Sequence, residues 1–168
     1  MAQCRKIQMI VVLDGNKIYT MADILHRVGI KTESIENVFK AISTIEGLTG
    51  WWTIDTSGVA DKAGGDLQFR FGAGGFDMKV KAIQPPNSLS WEVTALEKEW
   101  IGTTIQWDLK KEGDYIIVLF KHLGWRETTE FMHHCSTKWA IFLMSLKSLV
   151  ETSTGAPNPH DTKIDNWN

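Results

Sequence analysis

Five histidines and two cysteines are the side chains of this sequence that titrate or bind metals near neutral pH. Three of them, His133, His134 and Cys135, are adjacent. On a helix, neighbours point about 100° apart, so these three cannot face one ion. A helical ligand pair wants a spacing of four, and Thr137 and Lys138 occupy those places. His26 and His122 fall on the apolar parity of alternating segments, where an imidazole can act as a general base. No paired carboxylate, serine nucleophile or activated cysteine is evident beside either. The favoured reading is a hydrogen-bonded wall histidine, and no catalytic residue is assigned. Gly72, Gly74 and Gly75 have the composition of a phosphate loop, but they separate two alternating segments and precede no helix, so they read as a turn.

Aromatic residues are the stronger signal. Eight tryptophans in 168 residues need a large core, an apolar cavity, or both. The candidate ligand-binding residues are Trp51, Phe69, Phe71, Phe76 and Met78, then Trp91, Trp107, Phe120, Trp125, Phe131 and Trp139. Cys135 joins them as a small hydrophobe, and Thr103 and His122 supply polar points. Packing one dry core and lining a pocket are both open to such a set, because pockets are mostly apolar with a few polar groups. Trp51 and Trp52 are expected near the mouth of any pocket.

The elements that must position these residues follow from periodicity. Within 128–152, Met132, Cys135, Trp139, Phe142, Leu146 and Leu149 recur at steps of three and four, which predicts a long helix with a broad apolar face. Thr128 suits its N-cap, and Gly155 and Pro157 are its stop signals. Near the other end of the chain, Ile24, His26, Val28 and Ile30 share one strand face. Ser34 then caps a helix carrying Ile35, Val38, Phe39 and Ile42, and Thr44 caps a second one ending near Gly47 to Gly50. Five alternating segments follow. Their apolar sets are Leu67 to Phe71, Phe76 to Ala82, Leu89 to Val93, Ile101 to Leu109 and Ile116 to His122, with Gly102 inside the fourth. Strict alternation means one wet and one buried face, the mark of an antiparallel sheet covered on one side. The expected class is α+β: a curved antiparallel sheet of about six or seven strands wrapped on a long C-terminal helix, with two short helices after the first strand.

Length fits one domain, read as 21–155, with an N-terminal extension over 1–20 that is either loose or a small hairpin, and a tail over 156–168. A net charge of −2 offers no basic footprint for nucleic acid or an anionic membrane. No apolar run is long enough to span a bilayer. Asp14, Gly15 and Asn16 follow the apolar stretch at 7–13 where a signal peptide would need small residues, so export is not expected and the cytoplasm is. Two cysteines are too few for a disulfide framework.

The stretches GLTGWWT (47–53), DLQFRFGAGGFDMKV (66–80), EWIGTTIQWDL (99–109), FKHLGW (120–125) and FMHHCSTKWAIFLMSLKSLVE (131–151), in this order and spacing, resemble the SRPBCC or START-like superfamily. Within it the chain looks most like the bacterial single-domain branch named for the activator of heat-shock-protein-90 ATPase. The likeness covers about 22–167. It implies the helix-grip fold, with a cavity between sheet and C-terminal helix, but no particular reaction, because members include lipid carriers, hormone receptors, cyclases and co-chaperones. The eukaryotic co-chaperone has an additional N-terminal domain, for which residues 1–20 are too short. The expected function is binding of a small hydrophobic, aromatic or lipid-like ligand, without a cofactor. The alternatives are a chaperone-associated stress-response interaction partner and a cyclase- or hydrolase-like enzyme using His122 or His26. Self-association is left open.

Overall fold

The computed structural model describes residues 11–14, 17–20 and 22–167. Strands β1 (Val11–Asp14) and β2 (Lys17–Thr20) pair antiparallel, with Val11 opposite Thr20. They fall in the expected N-terminal extension, whose other positions, Cys4 among them, lie outside the described residues.

The chain then forms β3 (Ala22–Lys31), α1 (Ile35–Ser43), α2 (Ile45–Trp51), β4 (Asp55–Gly58), β5 (Asp66–Phe71), β6 (Gly74–Gln84), β7 (Ser88–Leu96), β8 (Thr104–Glu112), β9 (Tyr115–Trp125) and α3 (Glu130–Thr152). Strands β3 to β9 make one seven-stranded sheet in the order β3-β9-β8-β7-β6-β5-β4, with every neighbouring pair antiparallel. The α+β architecture expected from the alternation, and the helix-grip fold implied by the resemblance, are the ones observed.

Cross-strand register turns alternation into a core. Ile24, His122, Ile105, Trp91 and Val80 stand opposite one another in one row across five strands. His26, Phe120, Trp107 and Leu89 form the adjacent row. These rows face α3, whose Met132, Cys135, Trp139, Phe142, Leu143 and Leu146 are all buried. Burying a side chain of this size stabilises the fold by about 1.5–3 kcal/mol.

Local signals were accurate to about one residue. Ser34 Oγ accepts from Asn37 N and Thr44 Oγ1 from Gly47 N, capping α1 and α2. The cap of α3 is Thr129 instead of Thr128: its hydroxyl accepts from Met132 N and donates to Glu99. Helix α2 runs through Gly47 and Gly50 to Trp51, held by tertiary packing that overrides glycine's poor propensity. One strand has no signal in the sequence, and two finer expectations fail. Strand β4 is too short and polar to show alternation. Ala82 is exposed, because irregular pairing between Val80 and Ala82 flips the parity. Ile101 and Gly102 precede β8, and Gly102 takes a φ of +83° in a turn, not inside a strand.

The tail, read from the sequence as 156–168, is docked on the domain over its described residues. Ala156 N donates to Ser145 Oγ at 2.7 Å. Asn158 bridges to Thr53 in parallel, donating its N–H to Trp52 O and accepting from Ile54 N. The Asp161 carboxylate is fully buried and takes the Lys138 ammonium.

Candidate functional site

Most of the aromatic residues singled out from the sequence pack solidly against each other. Trp51, Phe69, Met78, Trp91, Trp107, Phe120 and Trp125 are each at most 1% exposed and lie outside the cavity described below. Trp51 is in the interior instead of at a mouth: its indole N–H donates to Ala41 O at 2.9 Å, and its ring lies on Trp52 and against Trp107. Much of the space between sheet and helix is therefore side chain.

Thr103 and His122 belong to the same interior. Trp139 Nε1 donates to His122 Nδ1 at 3.2 Å, so Nδ1 is the acceptor and Nε2 carries the proton. That proton goes to Thr103 Oγ1 at 2.8 Å, and the Thr103 hydroxyl donates to Trp100 O at 2.6 Å. Burial pushes the His122 pKa down to about 3, keeping the ring neutral. Both ring nitrogens are occupied by protein groups, which suits a structural tie better than a base. Burial also lowers the His26 pKa, opposed by the contact of its Nε2 with Ser136 O at 3.2 Å.

A half-open cavity of about 390 Å³ lies beside this core. Phe71, Phe76, Phe131, Cys135 and Trp139 are the expected residues that line it. They are joined by Trp52 from the end of α2, Gly72 from the β5–β6 turn, Trp100 from the β7–β8 connection, and His134, Lys138 and Phe142 from α3. The tail closes the ring with Asn158, Pro159, Lys163 and Trp167. The aromatic walls are mutually ordered: Phe76 stacks on Trp100 at 4.0 Å between ring centroids, and Trp100 lies parallel to Trp139 at 5.9 Å. Trp52 packs against Trp139 at 4.9 Å.

Three of these further residues had a signal. His134, Lys138 and Phe142 share one helical stripe beside that of Phe131, Cys135 and Trp139. Trp100 lies outside any alternating segment, and the tail residues reach the cavity only through long-range docking. Neither was visible in local pattern.

The polar groups of the cavity are unequal in kind. Lys138 is bound to Asp161 and sits 4.9 Å over the Phe142 ring. Lys163 Nζ reaches Asp161 only at 3.8 Å, an ion pair too long for a hydrogen bond. His134 Nδ1 lies 2.6 Å from Asp165 Oδ2, and this contact is the main cause of the lowered Asp165 pKa. Burial lifts the Cys135 thiol to about 12, so it is protonated and no nucleophile. His134 thus has an orienting carboxylate but no thiolate to activate. Among the described residues, no three His, Cys, Asp or Glu side chains are grouped to hold a metal ion, and no helix is long and apolar enough to cross a membrane.

Comparison with known proteins places this geometry in a family. Residues 33–151 match the family described as Activator of Hsp90 ATPase homolog 1-like protein. The solution structure of the Aha1 dimer from Colwellia psychrerythraea is 43% identical, with a TM-score of 0.74 over 80% of this chain and 100% of that one. Two further structures share the fold at low identity. The Bacillus halodurans protein BH1534 is 22% identical, with a TM-score of 0.64 over 77% of this chain and 97% of that one. CalU16 from Micromonospora echinospora is 18% identical, with a TM-score of 0.64 over 80% of this chain and 79% of that one. No curated protein matches the chain.

Proposed function

The chain belongs to the Activator of Hsp90 ATPase homolog 1-like family, and from that premise we propose that it binds a small aromatic or lipid-like molecule in the cavity under α3. The observation that carries this reading is the 390 Å³ space walled by Trp52, Phe76, Trp100 and Trp139 in a core that is otherwise filled. Its size is within the range of ligand pockets, and about 150 Å³ is enough for benzene, so a molecule of roughly two or three rings fits. The protein's role would be retention and transfer of such a molecule. The protonated Cys135 and the occupied His122 speak against covalent or general-base chemistry there.

The neutral fluorophore N-phenyl-1-naphthylamine tests the reading directly. It should bind at one site and shift the indole N–H resonances of Trp52, Trp100 and Trp139 while leaving those of Trp91 and Trp107 in place. Cys135→Phe, which puts a ring into the cavity, should abolish the signal with the circular dichroism spectrum unchanged. Resonance shifts spread over the whole core, or no binding at all, would refute the reading without recourse to the variant.

A second reading concerns assembly. The relative at 43% identity is described as a dimer. Here β3 is an edge strand of ten residues carrying Leu25 at 58% exposure. Its Gly29 carbonyl and Lys31 N–H are taken by Lys147 and Glu151 of α3, so only the first half of the edge is open to a second copy. Sedimentation of the wild type against Leu25→Lys distinguishes a β3 dimer, which the lysine should dissociate, from a monomer. A chaperone partner has less support, since the large exposed apolar side chains stand on separate elements.

A further inference from the structure

We infer that the ligand of this cavity is an aromatic anion, whose carboxylate or sulfonate is held at the tail side by Lys163 and whose rings lie among Trp52, Trp100 and Trp139. This rests on the cavity reading above and adds the charge of the molecule to it.

Three observations point the same way. First, among the described residues the cavity lining contains two lysines and a histidine but no Asp or Glu. The carboxylates stand outside the lining: Asp161, with its side chain wholly buried, behind Lys138, Asp165 on His134, and Glu97 and Glu99 near Cys135. Second, the Asp161 carboxylate is already used. Oδ2 takes the Lys138 ammonium and Oδ1 accepts from Asn158 Nδ2 at 3.2 Å. Two lysines therefore share one buried carboxylate, and Lys163 meets it at 3.8 Å with about half its side chain in solvent. Among the described residues, the Lys163 charge at the mouth of an apolar space has no close hydrogen-bonded partner. Third, among the described residues the Trp100 indole N–H meets no nitrogen or oxygen acceptor, only the Cys135 thiol, though Trp100 is 3% exposed. The Trp91, Trp107 and Trp125 N–H groups are also unpaired, but of the four only Trp100 lines the cavity. A buried donor without an acceptor is costly, and a ligand oxygen would relieve it. Cations and N–H groups in the wall, with acceptors set back behind it, select for negative charge.

The alternative is that Lys163 is an ordinary surface lysine loosely tied to Asp161, and that the cavity takes neutral molecules only. The two differ in a paired-probe titration. 1-Anilinonaphthalene-8-sulfonate and N-phenyl-1-naphthylamine have the same ring system, and only the first is charged. The wild type should prefer the sulfonate. Lys163→Met should weaken the sulfonate by about fivefold, the worth of a partly exposed ion pair. It should leave the neutral probe within twofold. Lys163→Arg should restore the preference, and Lys40→Met, on α1 and remote from the cavity, should change neither. If both probes bind equally and Lys163→Met moves neither, the anion inference is lost and the cavity reading stands. If neither probe binds, the cavity reading is lost and the inference with it.

Discussion

His122 is the clearest case of one residue whose environment decides its role. A histidine facing the interior of a strand could act as a base or serve as a tie, and the neighbours choose. Trp139 can only donate and the Thr103 hydroxyl donates to Trp100 O, so the imidazole is held in one neutral tautomer. Its pKa is lowered to about 3 by burial, against 6.5 for the unfolded chain. The unfolded state therefore binds the proton first. Stability is complete above about pH 6.5 and falls as pH drops toward 3, by up to about 1.4 kcal/mol per pH unit. His26, also lowered by burial, acts with the same sign. Urea unfolding between about pH 6 and pH 4.5 should show this slope, and His122→Gln should remove one histidine's share of it. An unchanged slope in the variant would mean that the ring is not held neutral. Thr103→Val, which preserves shape, should cost about 2 kcal/mol at neutral pH by stranding the His122 N–H and the Trp100 carbonyl.

At the scale of elements, the tail is what makes the cavity a cavity. It is held by close approach at one end and by charge at the other. A Cβ on Gly155 would come within 2.1 Å of Gly50 O, so glycine is required where the chain crosses the end of α2. Gly155→Ala should lift this crossing and destabilise the fold by about 2 kcal/mol or more. Asp161→Asn should leave the nearly buried Lys138 ammonium unpaired, costing about 3 kcal/mol in thermal unfolding. It should also raise hydrogen exchange at Ala156 and Asn158, whose N–H groups are bonded to Ser145 and Trp52. Equal stability of the two variants and the wild type would show that the tail is a passenger.

At the scale of the molecule, a filled aromatic core and the cavity beside it divide stability from function. A ligand of the cavity adds stability through its own affinity. N-phenyl-1-naphthylamine at a hundred times its dissociation constant should raise the unfolding free energy by about 2.7 kcal/mol. Five of the expected wall residues, Phe71, Phe76, Phe131, Cys135 and Trp139, do face this space. Trp51, Phe69, Met78, Trp91, Trp107, Phe120 and Trp125 fill the core beside it, and Thr103 and His122 tie that core together. Alternation assigns a side chain to the inner face of the sheet. It carries no measure of how far α3 stands from that face at each position.

What the amino-acid order determined alone is what short-range physics can set: strands from period two, helices from period 3.6, caps from hydroxyls, and hence an antiparallel sheet under a long helix. Only the tertiary structure decided which inward residues touch one another and which border empty space. That depends on register shifts such as the one at Ala82, on Trp100 arriving from a loop, and on a tail that docks through Asp161 and Asn158. Each of these couples residues far apart in the chain, and their packing volumes, not their periodicity, leave the space where Lys163 stands.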